Sequence, residues 1–429
     1  MRILWLKSDL LLPLDKGGKL RTWHLMRHLA RRHEITYLSF VEPGTSREHI
    51  DGMRAVASRV ETIERADPPK GSFHFYADAA RHLLNPLPYA VGKYRSRAFR
   101  LKVDELIARE RPDLIVSDFL PPVVNLPERL PCPSVLFTHN VEAEIWRRHA
   151  EATRNPLTRV LYRAQHRRMR RFEARALQRF DGVLAVSAVD RGTFGQLYAG
   201  AVRQPIHVVP TGVDTGYFCP AAAVGAAEDC VRRPSGAGLV FTGSMDWLPN
   251  QDAMAFFCRD ILPRIRAARP GVHLTIVGRS PTPAVTKLAA DAGVRVTGRV
   301  DDVRPYLAAA TVSVVPLRIG GGTRLKIFEA MAMGTAVVST RIGAEGLPII
   351  NGEHAWLADD PAEFADAVVT LLGDGSRRAR LERSARQLVV ERFDWSAVAG
   401  ELEAALRHVA APLGEKRYPC ESRSLVLDT

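Results

Sequence analysis

The sequence predicts an α/β protein made of two doubly wound domains. Three observations support this prediction. The chain has 429 residues, which is about two to three times the length of a typical domain. It contains short apolar runs typical of buried parallel strands, and helical patterns lie between them. Hydrophobic residues make up 46% and charged residues 25% of the chain, as expected of a folded protein.

The first series of apolar runs predicts one parallel sheet. Between the first two runs, leucines at helical spacing in residues 20–32 complete a strand–helix–strand unit. We therefore expect an N-terminal domain over residues 1–208. The five predicted strands lie in residues 3–6, 35–38, 114–116, 135–137 and 183–186.

A second series predicts a C-terminal domain over residues 209–394. Its strands follow a segment rich in Ala, Gly and Pro at 219–238, which we interpret as a linker or surface loop. Ligands of open parallel sheets bind at the carboxyl ends of the strands, so we expect a site in the cleft between the domains. The predicted strands lie in residues 239–241, 274–277, 294–296, 312–315 and 336–338.

An amphipathic pattern predicts a further helix in residues 395–413, which we expect to pack back on the N-terminal domain. The remaining tail, 414–429, is expected to be disordered. No apolar run approaches the roughly 20 residues of a membrane span, and the N-terminus lacks a secretory pattern. These features predict a cytoplasmic protein whose membrane contacts are peripheral.

The chain is basic: 60 Lys and Arg against 47 Asp and Glu give a formal charge of +13. This charge favours anionic partners such as phosphates, acidic lipids or nucleic acid. No nucleic-acid-binding motif accompanies it, so nucleic acid is not an expected partner. The five cysteines lack C-x-x-C spacing and indicate neither a zinc site nor a disulfide framework.

The most informative segment is a glycine-rich turn before a predicted helix. Gly321 and Gly322 allow a ligand to approach the backbone, and Thr323 can cap a helix whose first N–H groups attract an anion. Arg324 and Lys326 add positive charge where it disfavours an isolated helix, which indicates a bound anion. The alternative is a plain turn with two solvated basic side chains.

Glu329 shares a helix face with Lys326, three residues away. One interpretation is a simple salt bridge between the two side chains. The other is that the carboxylate accepts hydrogen bonds from ribose hydroxyls, as acidic residues do in other nucleotide sites.

Residues 320–340, Gly-Gly-Gly-Thr-Arg-Leu-Lys followed by Phe-Glu-Ala-Met-Ala, resemble the donor-site signature of the retaining GT-B glycosyltransferases of family four. Residues 208–214 are similar to the interdomain element of that family. The resemblance implies the GT-B architecture, in which two Rossmann-like domains face each other across a cleft and the N-terminal domain lies on the acceptor side. Similar strand ends follow at 241–245, 276–278 and 296–300.

The resemblance also implies roles for individual residues. Gly17 and Gly18 match a glycine-rich loop near the donor diphosphate and the acceptor, and His139 matches a cleft histidine that hydrogen-bonds the donor sugar. His139, Arg324 and Lys326 would form the catalytic set. A histidine that ends a buried strand is otherwise usually structural. The implied donor-binding residues are Gly17, Gly18, Ser244, Arg279, Gly298, Arg299, Val300, Gly321, Gly322, Thr323 and Glu329.

Three positions depart from the family pattern. The family often has an acidic residue eight positions before Glu329, which falls at Gly321 here. It also often has an Arg where this chain has Ser244, and a Lys where this chain has residues 247–252. Arg324 and Lys326 are therefore expected to supply the missing positive charge. A subset of the family with the same Gly-Gly-Gly-Thr-Arg-Leu-Lys loop includes sugar transferases associated with exopolysaccharide gene clusters.

The activity implied is transfer of a hexosyl group from a UDP- or GDP-sugar to a hydroxyl of a glycan or polyprenyl-linked acceptor. The resemblance implies retention of configuration, in exopolysaccharide or cell-surface glycan synthesis. No Asp-x-Asp motif is present, so neither a metal nor a cofactor is expected. The enzyme would work in the cytoplasm, with peripheral contact at the inner face of the membrane.

Two other functions fit the same residues. A UDP-sugar 2-epimerase of the same architecture also breaks the anomeric bond to the diphosphate, but needs no acceptor. A non-enzymatic protein could instead bind membranes or nucleic acid through the arginines crowded in residues 159–179.

Overall fold

The computed structural model of the chain describes residues 1–66, 72–73, 85–153, 155–220, 238–319 and 324–411. It contains two parallel β-sheets, each with helices packed on it. The predicted fold class, two doubly wound α/β domains, is confirmed.

The first sheet has seven strands in the order β3-β2-β1-β4-β5-β6-β7. The order reverses beside β1, which pairs with β2 on one side and β4 on the other. Such a reversal opens a crevice at the carboxyl ends of the two central strands. The strands are β1 (Arg2–Lys7), β2 (Glu34–Val41), β3 (Arg59–Glu64), β4 (Leu114–Asp118), β5 (Ser134–Phe137), β6 (Gly182–Ala185) and β7 (Ile206–Val208).

The helices of this domain connect the parallel strands. The longest begins after Asn155, whose side chain accepts hydrogen bonds from the Leu157 and Thr158 amides, and has Pro156 in its first turn. Both features are typical of helix starts. The helices are α1 (Gly17–Leu29), α2 (Arg47–Gly52), α3 (Tyr89–Gly92), α4 (Arg97–Glu110), α5 (Glu142–Ala152), α6 (Pro156–Arg179) and α7 (Ala188–Leu197).

The second sheet has six strands in the order β10-β9-β8-β11-β12-β13. Its order reverses between β8 and β11, so this sheet also opens a crevice at its strand ends. The strands are β8 (Gly238–Thr242), β9 (His273–Val277), β10 (Val294–Gly298), β11 (Val312–Val315), β12 (Ala336–Ser339) and β13 (Trp356–Leu357).

The helices of the second half, apart from the last one, pack on this sheet. A short π-helical turn, Phe257–Ile261, joins the first two of them. They are α8 (Leu248–Phe256), α9 (Leu262–Ala268), α10 (Pro283–Thr286), α11 (Arg304–Ala309), α12 (Leu325–Ala332), α13 (Pro361–Gly373), α14 (Gly375–Arg392) and α15 (Trp395–Ala410).

Helix α15 returns to the first domain. Its apolar residues, including Val398, Leu402 and Leu406, are buried in the same core cluster as Leu25 of α1. Asp394 caps its start by accepting a hydrogen bond from the Ser396 amide. The Asp394 side chain therefore stabilises the start of α15, where the chain returns from the second domain to the first. In the described part of the chain, no helix is both long enough and apolar enough to cross a membrane.

Candidate active site

The N-terminal wall of the cleft is built at the reversal point of the first sheet. Lys7 and Asp118 are the last residues of β1 and β4, and the two strands pair at these residues. His139 follows β5, and Gly17 and Gly18 begin α1. Parallel strands and their following loops thus bring the predicted glycine pair and the predicted histidine to one edge of the sheet.

Asp118 is the centre of this wall. Its buried carboxylate accepts hydrogen bonds from Trp5 Nε1 at 3.0 Å, Thr22 Oγ1 at 2.7 Å and His139 Nε2 at 2.6 Å. It also forms an ion pair with Lys7 Nζ at 3.0 Å. Sequence reasoning missed Asp118, although a carboxylate that ends an apolar strand was a visible signal.

The charges of Asp118 and Lys7 balance each other within the protein. Burial opposes ionisation of Asp118, yet the Lys7 ammonium and His139 hold its pKa well below the usual range. Burial lowers the pKa of His139 to about 4 and outweighs the opposing effect of Asp118. His139 is therefore neutral near pH 7. A Cβ added at Gly18 would lie 3.7 Å from His139 Nδ1, so this nitrogen faces the start of α1.

The C-terminal wall is built around Lys326, on the first turn of α12. Its Nζ donates a hydrogen bond to Asn250 Oδ1 at 2.9 Å and lies 4.0 Å from the centre of the Phe241 ring. Asn250 is only 2% exposed, and its Nδ2 donates to the Ser244 carbonyl oxygen at 2.8 Å. A Cβ added at Gly243 would come within 2.8 Å of Lys326 Nζ, so the glycine leaves room for the ammonium in this position.

The ionisable groups of this wall are poorly compensated. Burial lowers the pKa of Lys326 to about 7, and Arg324 adds to the effect by repulsion. Burial raises the pKa of Glu329 to about 7 against the opposing charge of Lys326. The ammonium is held by a neutral amide and an aromatic face, so an anionic ligand would stabilise its charged form.

Arg324 lies in different surroundings from Lys326. It is 3% exposed, and its Nη2 donates to the Ile342 carbonyl oxygen at 3.0 Å. Burial lowers its pKa, whereas the nearby Glu345 opposes that shift. Glu345 in turn pairs at 3.6 Å with Arg148 of the first domain. Arg324 therefore borders the contact between the domains.

Ser244 and Arg279 lie beside the Lys326 site. Arg279 Nε donates to Ser244 Oγ at 2.9 Å, and this hydroxyl donates to Asp246 at 2.6 Å. A Cβ at Gly278 would collide with the Gly243 carbonyl oxygen, so the two loops are in backbone contact. Ser244, Arg279 and Lys326 are thus brought together by the ends of β8 and β9 and by α12.

The remaining predicted residues lie further along the sheet edge or beyond the described residues. Gly298 ends β10 with a φ of +72°, and Arg299 and Val300 follow it. Gly321, Gly322 and Thr323 lie outside the described residues. Helix α12 begins at Leu325 with Arg324 at its N-cap position, one residue after the expected cap. Among the described side chains, no group of three His, Cys, Asp or Glu residues could hold a metal ion.

Two family models match the chain, one to each half. The model described as Glycosyltransferase Family 4 matches residues 16–217. The model described as Glycosyl transferases group 1 matches residues 236–374. The first match contains Asp118 and His139, and the second contains Asn250 and Lys326.

Curated relatives match across most of the chain. Glycogen synthase of Mycobacterium tuberculosis is 28% identical over 423 residues, which cover 94% of each chain. Phosphatidyl-myo-inositol mannosyltransferase of the same organism is 28% identical over 390 residues, which cover 87% of this chain and 95% of the relative.

Solved structures share the fold. Sucrose-phosphate synthase from Thermosynechococcus elongatus superimposes with a TM-score of 0.64 at 16% identity, covering 95% of this chain and 99% of that one. Anabaena HepE, in complex with UDP and glucose, gives the same TM-score, identity and coverage. The two sheets and the cleft between them thus define a two-domain protein of the GT-B class. With both family models matched in order, the chain is a glycosyltransferase of group 1 and family 4.

Proposed function

We propose that this glycosyltransferase moves a hexosyl group from a nucleotide diphosphate-sugar to a hydroxyl group, with retention of configuration. The observation that carries the proposal is the desolvated Lys326 ammonium, held by Asn250 beside Gly243. Two kinds of relative support it. The glycogen synthase and the mannosyltransferase are both named for sugar transfer, and HepE binds UDP and UDP-glucose. A UDP- or GDP-sugar is the expected donor.

Lys326 would act on the leaving group. When the bond from the anomeric carbon to the β-phosphate oxygen breaks, negative charge develops on that phosphate. A fixed ammonium in a water-poor site stabilises this charge in the transition state more than in the bound donor. Arg324 would add to the same field from the side of the domain contact. With these two cations supplying the charge, transfer would need no metal.

The N-terminal wall would bind the sugar and the acceptor. His139 would hydrogen-bond the donor sugar, and Gly17 and Gly18 would let the acceptor hydroxyl approach the anomeric carbon. The hydroxyl would attack from the face that the phosphate leaves, and the departing phosphate would take the hydroxyl proton. Closing the domains would exclude water as a competing acceptor.

The first test is a donor screen with purified protein. UDP, GDP, ADP and TDP are compared by thermal shift, because a ligand at 100 times its dissociation constant stabilises by about 2.7 kcal/mol. The sugar nucleotide of the stabilising base is then incubated with acceptors, with and without EDTA, and the anomeric configuration of the product is read by NMR. EDTA-resistant transfer with retention is expected. Acceptor-independent formation of an epimer would favour the 2-epimerase instead.

A basic surface on α6 supports a refinement of this function. Five exposed arginines on this helix form no ion pair with any residue that the structure describes. At its N-terminal end, Leu157 is 81% and Val160 66% exposed. Arginines beside exposed apolar side chains are typical of helices that lie on anionic membranes. The five are Arg163, Arg167, Arg170, Arg171 and Arg175.

The refinement is that the enzyme works peripherally on the inner face of a membrane, on a polyprenyl-linked acceptor of exopolysaccharide or cell-surface glycan synthesis. Flotation with anionic and with neutral liposomes tests the membrane contact. Binding to anionic liposomes should disappear when the five arginines become glutamine. Flotation that is unchanged by this substitution would remove the refinement and leave the transferase assignment intact.

A further inference from the structure

The hydrogen bonds around Asp118 determine where the proton of His139 lies. An ionised carboxylate can only accept hydrogen bonds, and the Lys7 ammonium at 3.0 Å keeps Asp118 ionised. His139 Nε2 lies 2.6 Å from Asp118 Oδ1. Nε2 must therefore carry a hydrogen and donate it to Asp118.

The surroundings of the ring also decide its charge. The groups that face it are Asp118, Lys7, Arg21 and the rings of Phe119 and Phe137. Lys7 already balances the carboxylate and Arg21 adds another positive charge, so a protonated ring would be a third cation, buried without a partner of its own. The ring is therefore neutral, and a neutral ring with hydrogen on Nε2 has a lone pair on Nδ1.

That lone pair faces the proposed sugar site. Nδ1 lies on the side of Gly18, where an added Cβ would be 3.7 Å away. Resting on the proposed function, we propose that Asp118 is a positioning residue that fixes the neutral Nε2–H tautomer of His139. Nδ1 can then accept a hydrogen bond from a hydroxyl group of the bound sugar. A site of this kind selects sugars whose hydroxyl at that position can donate, and discriminates against deoxy and fluoro analogues.

The tautomer can be measured without any ligand. In protein with ¹⁵N-labelled histidine, at pH 7.5, the Nε2 of His139 should show the shift of a protonated ring nitrogen and Nδ1 that of an unprotonated one. His139→Gln identifies the signals. A wild-type spectrum with the hydrogen on Nδ1, or on both nitrogens, would overturn the proposal.

Asp118→Asn tests the consequence for catalysis. The amide of Asn can donate to Nε2 and so favours the Nδ1–H tautomer, which turns the sugar-facing acceptor into a donor. We expect kcat/KM for transfer to fall by about 100-fold or more, while affinity for the free nucleoside diphosphate changes by less than about twofold. The deoxy analogue should lose its disadvantage relative to the parent sugar in this variant.

Glu173→Gln is the matched control. Glu173 is also fully buried in the first domain and accepts hydrogen bonds from the Glu142 amide and the Tyr198 hydroxyl, but it does not contact His139. A similar loss of transfer in this control, or wild-type transfer in Asp118→Asn with the tautomer reversed, would contradict the proposal. If no nucleotide diphosphate binds the wild type, the proposed function fails, whereas the tautomer is still decided by the spectrum.

Discussion

The two walls of the cleft differ in how their buried charges are compensated. On the N-terminal wall, the Asp118 carboxylate meets the Lys7 ammonium, and His139 stays neutral beside them. On the C-terminal wall, the Lys326 ammonium contacts the amide of Asn250 and the face of Phe241, and the buried Glu329 offsets little of its desolvation. The carboxylate and the ammonium of the first wall compensate each other without a ligand. The second has a cation whose natural partner is an anion from outside.

Because of this difference, substitutions on the two walls should have different measurable effects. Changes on the N-terminal wall break interactions made within the protein, so they should appear in stability and in turnover. Changes on the C-terminal wall should appear in donor affinity and, through the charge that develops on the leaving phosphate, in turnover, with little loss of stability. The four predictions that follow test this division, from the largest expected effect to the smallest.

The largest effect concerns acid stability of the N-terminal wall. The pKa of His139 is about 4 in the folded protein, below the roughly 6.5 of an unfolded chain. Between these values the unfolded state takes up the proton first, so this contribution is complete above pH 6.5 and is lost as the pH falls to 4. The loss amounts to roughly 3 kcal/mol.

Thermal melts between pH 6.5 and pH 4 measure this loss as a difference between two proteins. The wild type should be destabilised more than His139→Gln, whose amide can still donate to Asp118 but does not titrate. Comparing the two proteins removes the effect of the buried Glu173 and Glu329, which both proteins contain. Their raised pKa values increase stability as the pH falls, opposite to the effect of His139. Parallel curves for the two proteins would show that the histidine is not held neutral by the fold.

Lys326→Met should weaken donor binding by about 100-fold, or about 2.7 kcal/mol, because it removes the desolvated charge that we propose faces the donor phosphate. The same change should leave the melting temperature unchanged or raise it, since the free protein loses a poorly compensated ammonium. Calorimetric titration with the nucleotide from the donor screen measures the first effect. Lys287→Met changes an exposed lysine of the same domain and is the control. It should change neither the donor affinity nor the melting temperature. An affinity within about threefold of wild type would remove Lys326 from the donor site.

Gly243→Ala should weaken donor binding by about tenfold. The added methyl group would come within 2.8 Å of both Lys326 Nζ and Asn250 Nδ2, so the ammonium must move away. Gly192→Ala is the matched control, because a Cβ there meets no atom within 4 Å. If the two alanine variants bind the donor equally well, the close approach at Gly243 has no role in binding.

The smallest effect is expected for Asn250→Ala, at about fivefold in donor affinity. Lys326 keeps its charge but loses the acceptor that positions it, and one such hydrogen bond contributes about 1 kcal/mol. The variant should lose affinity equally for the nucleoside diphosphate and for its sugar conjugate. A loss confined to the sugar conjugate would place Asn250 at the sugar and not at the phosphates.

The sequence was sufficient to predict the architecture, because buried parallel strands are apolar along their whole length. Three strands at the edges of the sheets were missed. Strand β3 carries charges and is only half-buried, β7 has three residues, and β13 has two. Edge strands of this kind give little hydrophobic signal.

The candidate site was predicted in part. The glycine pair and His139 were singled out by the family resemblance, and the structure places them at one edge of the first sheet. Their roles remain predictions. Asn250 could not be found, because its role depends on a side chain 76 residues away in the sequence. Asp118 was missed although it ends an apolar strand, because its partner His139 lies 21 residues further along the chain. The joint role expected of Arg324 and Lys326 also remains a prediction. The two side chains have different hydrogen-bond partners. Arg324 donates to the Ile342 carbonyl oxygen near the domain contact, whereas Lys326 donates to Asn250 Oδ1.

Proton uptake on donor binding tests the central claim most directly. With a pKa of about 7 in the free protein, Lys326 is mostly neutral at pH 8, and a bound diphosphate raises that pKa. Calorimetry of the sugar nucleotide at pH 8, in buffers of different ionisation enthalpy, should therefore show uptake of about one proton per site. This uptake should disappear in Lys326→Met. No uptake by the wild type, or the same uptake by the variant, would contradict the account.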